Sequence, residues 1–179
     1  MSKYLKFLGT SMRKNETFKL DATDLRLLDL LQQDASLSQQ ALAAKVHVSP
    51  PTCLRRVQRL RALGLIERQV AILAPERLAA LQGHGLACIV EVSLERQGAE
   101  QLDAFEARAV AEECVQQCWR VAPGPDFILI VHTRDMPGYQ ALAQRLFTSD
   151  ANVRNVRAFF ATRRAKFDTR LPLAVEDGR

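Results

Sequence analysis

Between Ser38 and Leu63 the chain carries two helical patterns with almost nothing between them: SQQALAAKV, then His47 and Val48, then SPPTCLRRVQRL. A gap of that length leaves room only for a sharp turn, so the second helix must fold directly against the first. Each helix brings its own start signal. Ser38 can cap the first, with Leu37 before the cap and Leu42 inside the helix forming a hydrophobic staple. Ser49 can cap the second, Pro50 occupies the first helical position where a missing N–H costs nothing, and Val48 with Cys53 repeats the staple. That helix should end at Leu63, with Gly64 supplying the left-handed stop. An earlier helix, capped by Asp21 or Thr23, brings Leu27, Leu28 and Leu31 at helical spacing and is broken over Asp34 to Leu37.

A step of 100° per residue puts Cys53, Val57, Leu60 and Leu63 on one side of the third helix and Thr52, Arg55, Arg56 and Arg59 on the other. Charge gives the second side a meaning. The net charge of +5 is concentrated in the N-terminal half, where 13 Lys/Arg face 7 Asp/Glu through residue 82. From Lys45 to Arg68, Lys45, Arg55, Arg56, Arg59, Arg61 and Arg68 oppose only Glu67. A basic patch on one short element is the footprint of a polyanion partner, with a solvated helix face as the bland alternative. Three helices, a tight turn and outward arginines together predict a helix-turn-helix, with Ser49, Pro51 and Thr52 at the groove-facing start and Arg55, Arg56 and Arg59 reaching phosphates or bases. The β-branched stretch Ile66 to Leu73 suits the hairpin of a winged variant.

Past residue 74 the periodicity changes. Pro75 to Gly85 reads as a linker with a short helical piece. Leu86 to Leu94 alternates as a half-buried strand, Ala99 to Val110 is helical, and Cys114 to Val121 and Phe127 to Thr133 are strands around the turn Ala122-Pro123-Gly124-Pro125-Asp126. A helix over Pro137 to Phe147 and a strand over Val153 to Thr162 complete βαββαβ. That order predicts an α+β, ferredoxin-like unit: an antiparallel sheet with both helices on one face, and its other face left to pair with something. With 179 residues, the chain suits two small domains and not a large multidomain enzyme. The expected division is a flexible extension at 1–19, a winged helix-turn-helix at 20–74, the linker at 75–85, the ferredoxin-like domain at 86–173 and a tail at 174–179. Met12 offers an alternative translation start close to the first helix.

Other chemistries find little support. Of four cysteines only Cys114 and Cys118 are close, without histidine neighbours, so reduced thiols are expected and neither a metal nor a disulfide. His47, His84 and His132 lie scattered, with no nucleophile or carboxylate at motif spacing, and no Gly-rich phosphate loop occurs. No run of 18 apolar residues exists. The expectation is a cytoplasmic protein with no membrane contact, no cofactor and no catalytic residue.

The residues now in view resemble those of the Lrp/AsnC family of transcription regulators, over Leu20 to about Leu173. Leu20-Asp21-Ala22-Thr23-Asp24 is similar to the family's LDxxD opening, and the run from Val48 through Leu60, continued by Gly64 and Ile66, is similar to its recognition-helix signature. The resemblance implies a homodimer built by pairing the sheets, which assembles in relatives into tetramers or octamers. It implies a pseudo-palindromic double-stranded DNA operator, and a small effector, usually an amino acid, bound where sensing domains meet. In the effector loop, Val121, Asp126 and Phe127 fit the family pattern, while Pro123 stands at the usual glycine position and Gly124 follows it. The same alignment carries Gly124, Asp126, Met136, Phe159 and Ala161 over as effector-binding positions. After the last strand, Arg163-Arg164-Ala165-Lys166 is basic where the family is often acidic. Two other readings stand beside the regulator: an architectural DNA binder without effector control, and an enzyme similar to the siroheme decarboxylases that share this fold.

Overall fold

A computed structural model describes residues 19–83 and 85–174. The expected flexible extension lies outside the described residues except for Lys19, as do His84 and all but the first residue of the tail. Over the described residues the chain divides into two compact units, residues 73–165 and residues 19–72 with 166–174.

The helical unit contains α1 (Ala22–Gln33), α2 (Gln39–Lys45) and α3 (Pro50–Ala62). Local chemistry sets each start. The Asp21 carboxylate accepts from the Asp24 N–H at 2.8 Å, and Asp24 returns the bond to the Asp21 N–H, closing a capping box. Ser38 Oγ accepts from the Ala41 N–H, and Ser49 Oγ from the Thr52 N–H, as expected of N-caps. The turn between α2 and α3 puts His47 at φ 56°, a left-handed position uncommon for a side-chain-bearing residue, and the Val48 N–H bonds to Ala43 O at 3.0 Å. Gly64 stops α3 at φ 73°. Leu27, Leu31, Leu42, Ala43, Val46, Cys53, Val57 and Leu60 form the core of the unit. Leu63 lies past the end of α3 and is exposed, unlike its position on the helical wheel.

One expectation meets a different outcome here. Residues 67–74 form no helix or strand, so the wing hairpin is not formed: β-branched residues favour a strand only where a ladder partner exists, and Val70, Ile72 and Leu73 are exposed instead. Separately, residues from Lys166 pack in space with the helical unit. Hydrogen bonds hold them there: Arg170 and the Leu171 N–H donate to α1, and Gln32 of α1 donates to the Leu171 carbonyl.

In the second unit α4 (Pro75–Gln82) precedes β1 (Leu86–Leu94), α5 (Ala99–Ala111), β2 (Val115–Arg120), β3 (Phe127–Thr133), α6 (Met136–Ala143, continued by a π-helical turn over Gln144–Thr148) and β4 (Val153–Phe160). The sheet order is β2-β3-β1-β4 and every pairing is antiparallel, the ferredoxin-like arrangement. Cys88, Val90, Val92 and Leu94 of β1 and Phe127, Leu129 and Val131 of β3 are buried with Phe105 and Ala109 of α5 and Leu142, Leu146 and Phe147 after it. Phe105 and Phe127 meet at a ring-centroid distance of 4.8 Å. Alternation sends Ile89, Phe159 and Trp119 to the opposite face, where they are 44%, 43% and 58% exposed. Among the described residues, no helix is long and apolar enough to cross a membrane and no three potential metal-ligating side chains converge.

Candidate nucleic-acid interface and effector positions

The start of α3 is an open, polar surface. Ser49 and Pro51 are exposed, Thr52 is half-buried, and the Ser49 and Thr52 hydroxyls lie 2.9 Å apart. The exposed Arg55 has no hydrogen-bond or ion-pair partner among the described residues. Arg55, Arg56 and Arg59 line one shallow hollow with Asp21.

Arg56 does not share the freedom of Arg55. Its Nη1 donates to Asp21 Oδ2 at 2.6 Å and to Asp24 Oδ1 at 2.9 Å, and its side chain is 24% exposed. Arg59 Nη2 donates to Asp24 Oδ2 at 2.5 Å while its side chain stays 44% exposed. A helical wheel groups Arg56 with the outward arginines because it represents α3 alone; the structure sets the capping aspartates of α1 beside it. Burial raises the pKa of the Asp21 carboxyl, but the Asp24 N–H and the Arg56 guanidinium outweigh it and hold the group below the ordinary carboxylate range.

Asp24 is the residue sequence reasoning passed over. It is fully buried, accepts from two arginines of α3, and fixes where the guanidinium groups start. The signal was present: Asp24, Leu27, Leu28 and Leu31 share helical spacing, so an acid lies in line with the core stripe. An acid there requires cationic partners from a facing element.

The sheet unit does not gather the effector positions into one place. The Asp126 N–H bonds to Val92 O at 2.9 Å, and its Oδ2 accepts from the Leu94 N–H at 2.6 Å and from Gln97 Nε2 at 3.3 Å, tying the carboxylate to the end of β1. Gly124 lies in the same loop, at φ 123°. The Ala161 N–H bonds to Ala87 O near the start of β1, and Phe159 pairs with Ile89. Met136 opens α6 just after Thr133, which pairs with Leu86. Five residue steps along β1 separate Ala87 from Val92, ~17 Å of strand. A free amino acid is too short to touch both Asp126 and Ala161 within one chain.

Comparison with known proteins decides the family. Residues 20–61 match the AsnC-type helix-turn-helix domain and residues 87–171 the Lrp/AsnC ligand binding domain. The DNA-binding transcriptional activator DecR of Escherichia coli K12 is 34% identical over 86% of this chain and 99% of its own length. The chain belongs to the Lrp/AsnC family. The leucine-responsive regulatory protein of Haemophilus influenzae is another relative of this Lrp/AsnC chain, 33% identical over 93% of this chain and 95% of its own. Among solved structures, a transcriptional regulator from Neisseria meningitidis in complex with L-Met superimposes with a TM-score of 0.75 at 27% identity, covering 86% of this chain and 97% of that one. These relatives of the Lrp/AsnC chain are a DNA-binding transcriptional activator, a leucine-responsive regulatory protein and a transcriptional regulator, and the matched domains pair a helix-turn-helix with a ligand-binding domain.

Proposed function

We propose that this chain is a sequence-specific transcription regulator that binds a pseudo-palindromic operator as a dimer and responds to an amino acid. The observation that carries the DNA reading is the exposed start of α3, where Arg55 has no partner among the described residues and stands next to a serine-capped helix end. Ser49, Pro51, Thr52 and Arg55 enter the major groove, and the exposed part of Arg59 meets a phosphate. Arg56 contributes through the orientation of α3 that its bonds to Asp21 and Asp24 impose, and any DNA contact it makes is secondary to that.

The apolar open face of the sheet, with Trp119, Ile89 and Phe159, favours pairing with the same face of a second copy. A two-fold dimer would present its recognition helices to half-sites about one helical turn, ~34 Å, apart or a multiple of it. The effector reading draws on the ligand-binding domain match and on the split positions: Gly124 and Asp126 from one copy and Met136, Phe159 and Ala161 from another would complete a site that no single copy holds. Tetramers or octamers follow if such sites form between dimers. The Asp126 carboxylate, tied by one oxygen to Leu94, acts chiefly to hold the loop.

The test is a gel shift of the purified protein on its own upstream DNA at fixed salt, with each of the protein amino acids in turn. Retardation changed by one or a few related amino acids is the expected result. Retardation indifferent to all of them would favour the architectural role, and no retardation would contradict the reading.

A further inference from the structure

Residues 166–173 leave the sheet unit and attach to α1 through a specific set of bonds. The Gln32 side-chain amide forms a reciprocal pair with the backbone of Leu171: Nε2 donates to Leu171 O at 2.9 Å, and the Leu171 N–H donates to Gln32 Oε1 at 2.9 Å. One residue earlier, Arg170 donates to Asp29 Oδ1 from Nη2 at 2.8 Å and from Nε at 3.2 Å. Asp29 is held ready by Gln32 and Gln33, and Asp168 Oδ1 accepts the Arg170 N–H at 3.0 Å, turning the segment toward the helix. Asp29 and Gln32 are three residues apart and share one face of α1, away from Leu27 and Leu31 in the core.

The amide-to-backbone pair makes the attachment specific in register. A slip by one residue along the segment would lose both of its bonds and separate Arg170 from Asp29. An adsorbed tail would show no such pairing. The chain therefore joins its two units at two points, between Ile72 and Leu73 and again between Ala165 and Lys166. Only residues 161–165 separate the end of β4 from this segment, and a link of that length spans at most ~18 Å.

We propose that residues 166–173 are a strap that docks on the outer face of α1 and carries the state of β4 to the helix-turn-helix. Its regulatory consequence rests on the reading of Phe159 and Ala161 as effector positions; its docking rests on the bonds alone. A displacement of Ala161 by a ligand passes along the link to Arg170 and Leu171, and from there to the helix whose Asp24 holds the arginines of α3. Solvent-exposed hydrogen bonds and ion pairs of this kind are individually weak, which leaves the strap able to open and close.

The test uses the full chain and three variants, Arg170→Asp, Asp29→Arg and the double swap, followed by hydrogen exchange and by operator binding. In the wild type the Leu171 amide should exchange slowly, each single variant should speed it by about fivefold or more, and the double swap should restore it. Gln32→Ala, which leaves the ion pair intact, should speed the same amide. A Leu171 amide that exchanges in the wild type at the rate of unstructured chain overturns the docking, as does a double swap that restores nothing. Operator binding is read separately: Arg170→Asp should abolish at least half of the effector-induced change in affinity. A protected strap whose release leaves the effector response unchanged overturns the coupling. A protected strap in a wild-type protein that binds no duplex instead contradicts the regulator reading and leaves the docking intact.

Discussion

The guanidinium of Arg56 donates to the carboxylate of Asp24 at 2.9 Å, joining the recognition helix to the first helix of the same unit. Asp24 is wholly buried and accepts Arg59 as well, so one acid sets the start of two arginines. On the basic face of α3, Arg55 has no partner among the described residues, whereas Arg56 and Arg59 are both held by Asp24.

Asp24→Asn keeps the side-chain volume but removes the charge that compensates Arg56 and Arg59. The expected loss is about 2–4 kcal/mol for the helical unit, near the range for breaking a buried pair and reduced because both arginines retain contact with water. Asp21→Asn keeps a capping side chain and should cost about 1 kcal/mol or less. Chemical denaturation followed by circular dichroism compares the two, and equal losses would contradict the assigned role of Asp24.

Arg55→Ala and Arg56→Ala should separate binding from stability. Arg55→Ala should weaken operator binding by about 1–3 kcal/mol if it reads a base, or lower the salt slope by about one if it meets a phosphate. Its folding stability should change by less than about 0.5 kcal/mol. Arg56→Ala should lower stability by about 1–3 kcal/mol, because it leaves Asp24 with a single cation. Paired thermal unfolding and anisotropy titrations check both, and the reverse pattern would contradict the docking of α3.

Three carboxyls of the helical unit have depressed pKa values. At Asp29 the causes are the Gln32 hydrogen bond, which outweighs burial, and then Arg170. At Asp34 they are the two bonds from Ser36, and at Asp21 burial is overcome by the Asp24 N–H and Arg56. Between a depressed folded value and the unfolded value near ~3.9, the unfolded chain binds more protons, so stability rises with pH. Their contribution is complete above about pH 5 and is lost as pH falls through the folded values. Thermal unfolding should show a melting temperature flat from about pH 7 to 5 and falling below about pH 4. A melting temperature that rises on acidification would contradict this.

Burial pushes the Cys118 thiol up to about 11, with Glu106 adding to it, and burial also raises Cys53 and Cys88. The thiolate is the reactive form, so a thiol reagent at about pH 8 should label these three residues slowly in the folded protein and fast after unfolding. Rapid labelling of Cys118 without unfolding would contradict its placement against the sheet core.

Much of this architecture is legible in the sequence because its determinants are local. Asp21, Ser38 and Ser49 cap as their spacing predicts, Gly64 stops α3, and the alternation from Leu86 to Leu94 marks β1 to the residue. What stayed hidden depends on a second element. The partner of Arg56 lies on another helix, a wing needs a ladder that residues 67–74 do not make, and the strap has no periodicity to betray it. The effector positions align along one sequence, yet sheet order sends Asp126 and Ala161 to opposite ends of β1.

The central claim, that α3 reads a DNA sequence, is tested most directly by titrating the protein against its upstream duplex and a scrambled duplex of the same length and salt. The account predicts a preference for the upstream duplex of about a thousandfold or more, with most of that ratio lost in Arg55→Ala. Equal affinity for the two duplexes, or a preference that Arg55→Ala leaves untouched, would contradict it.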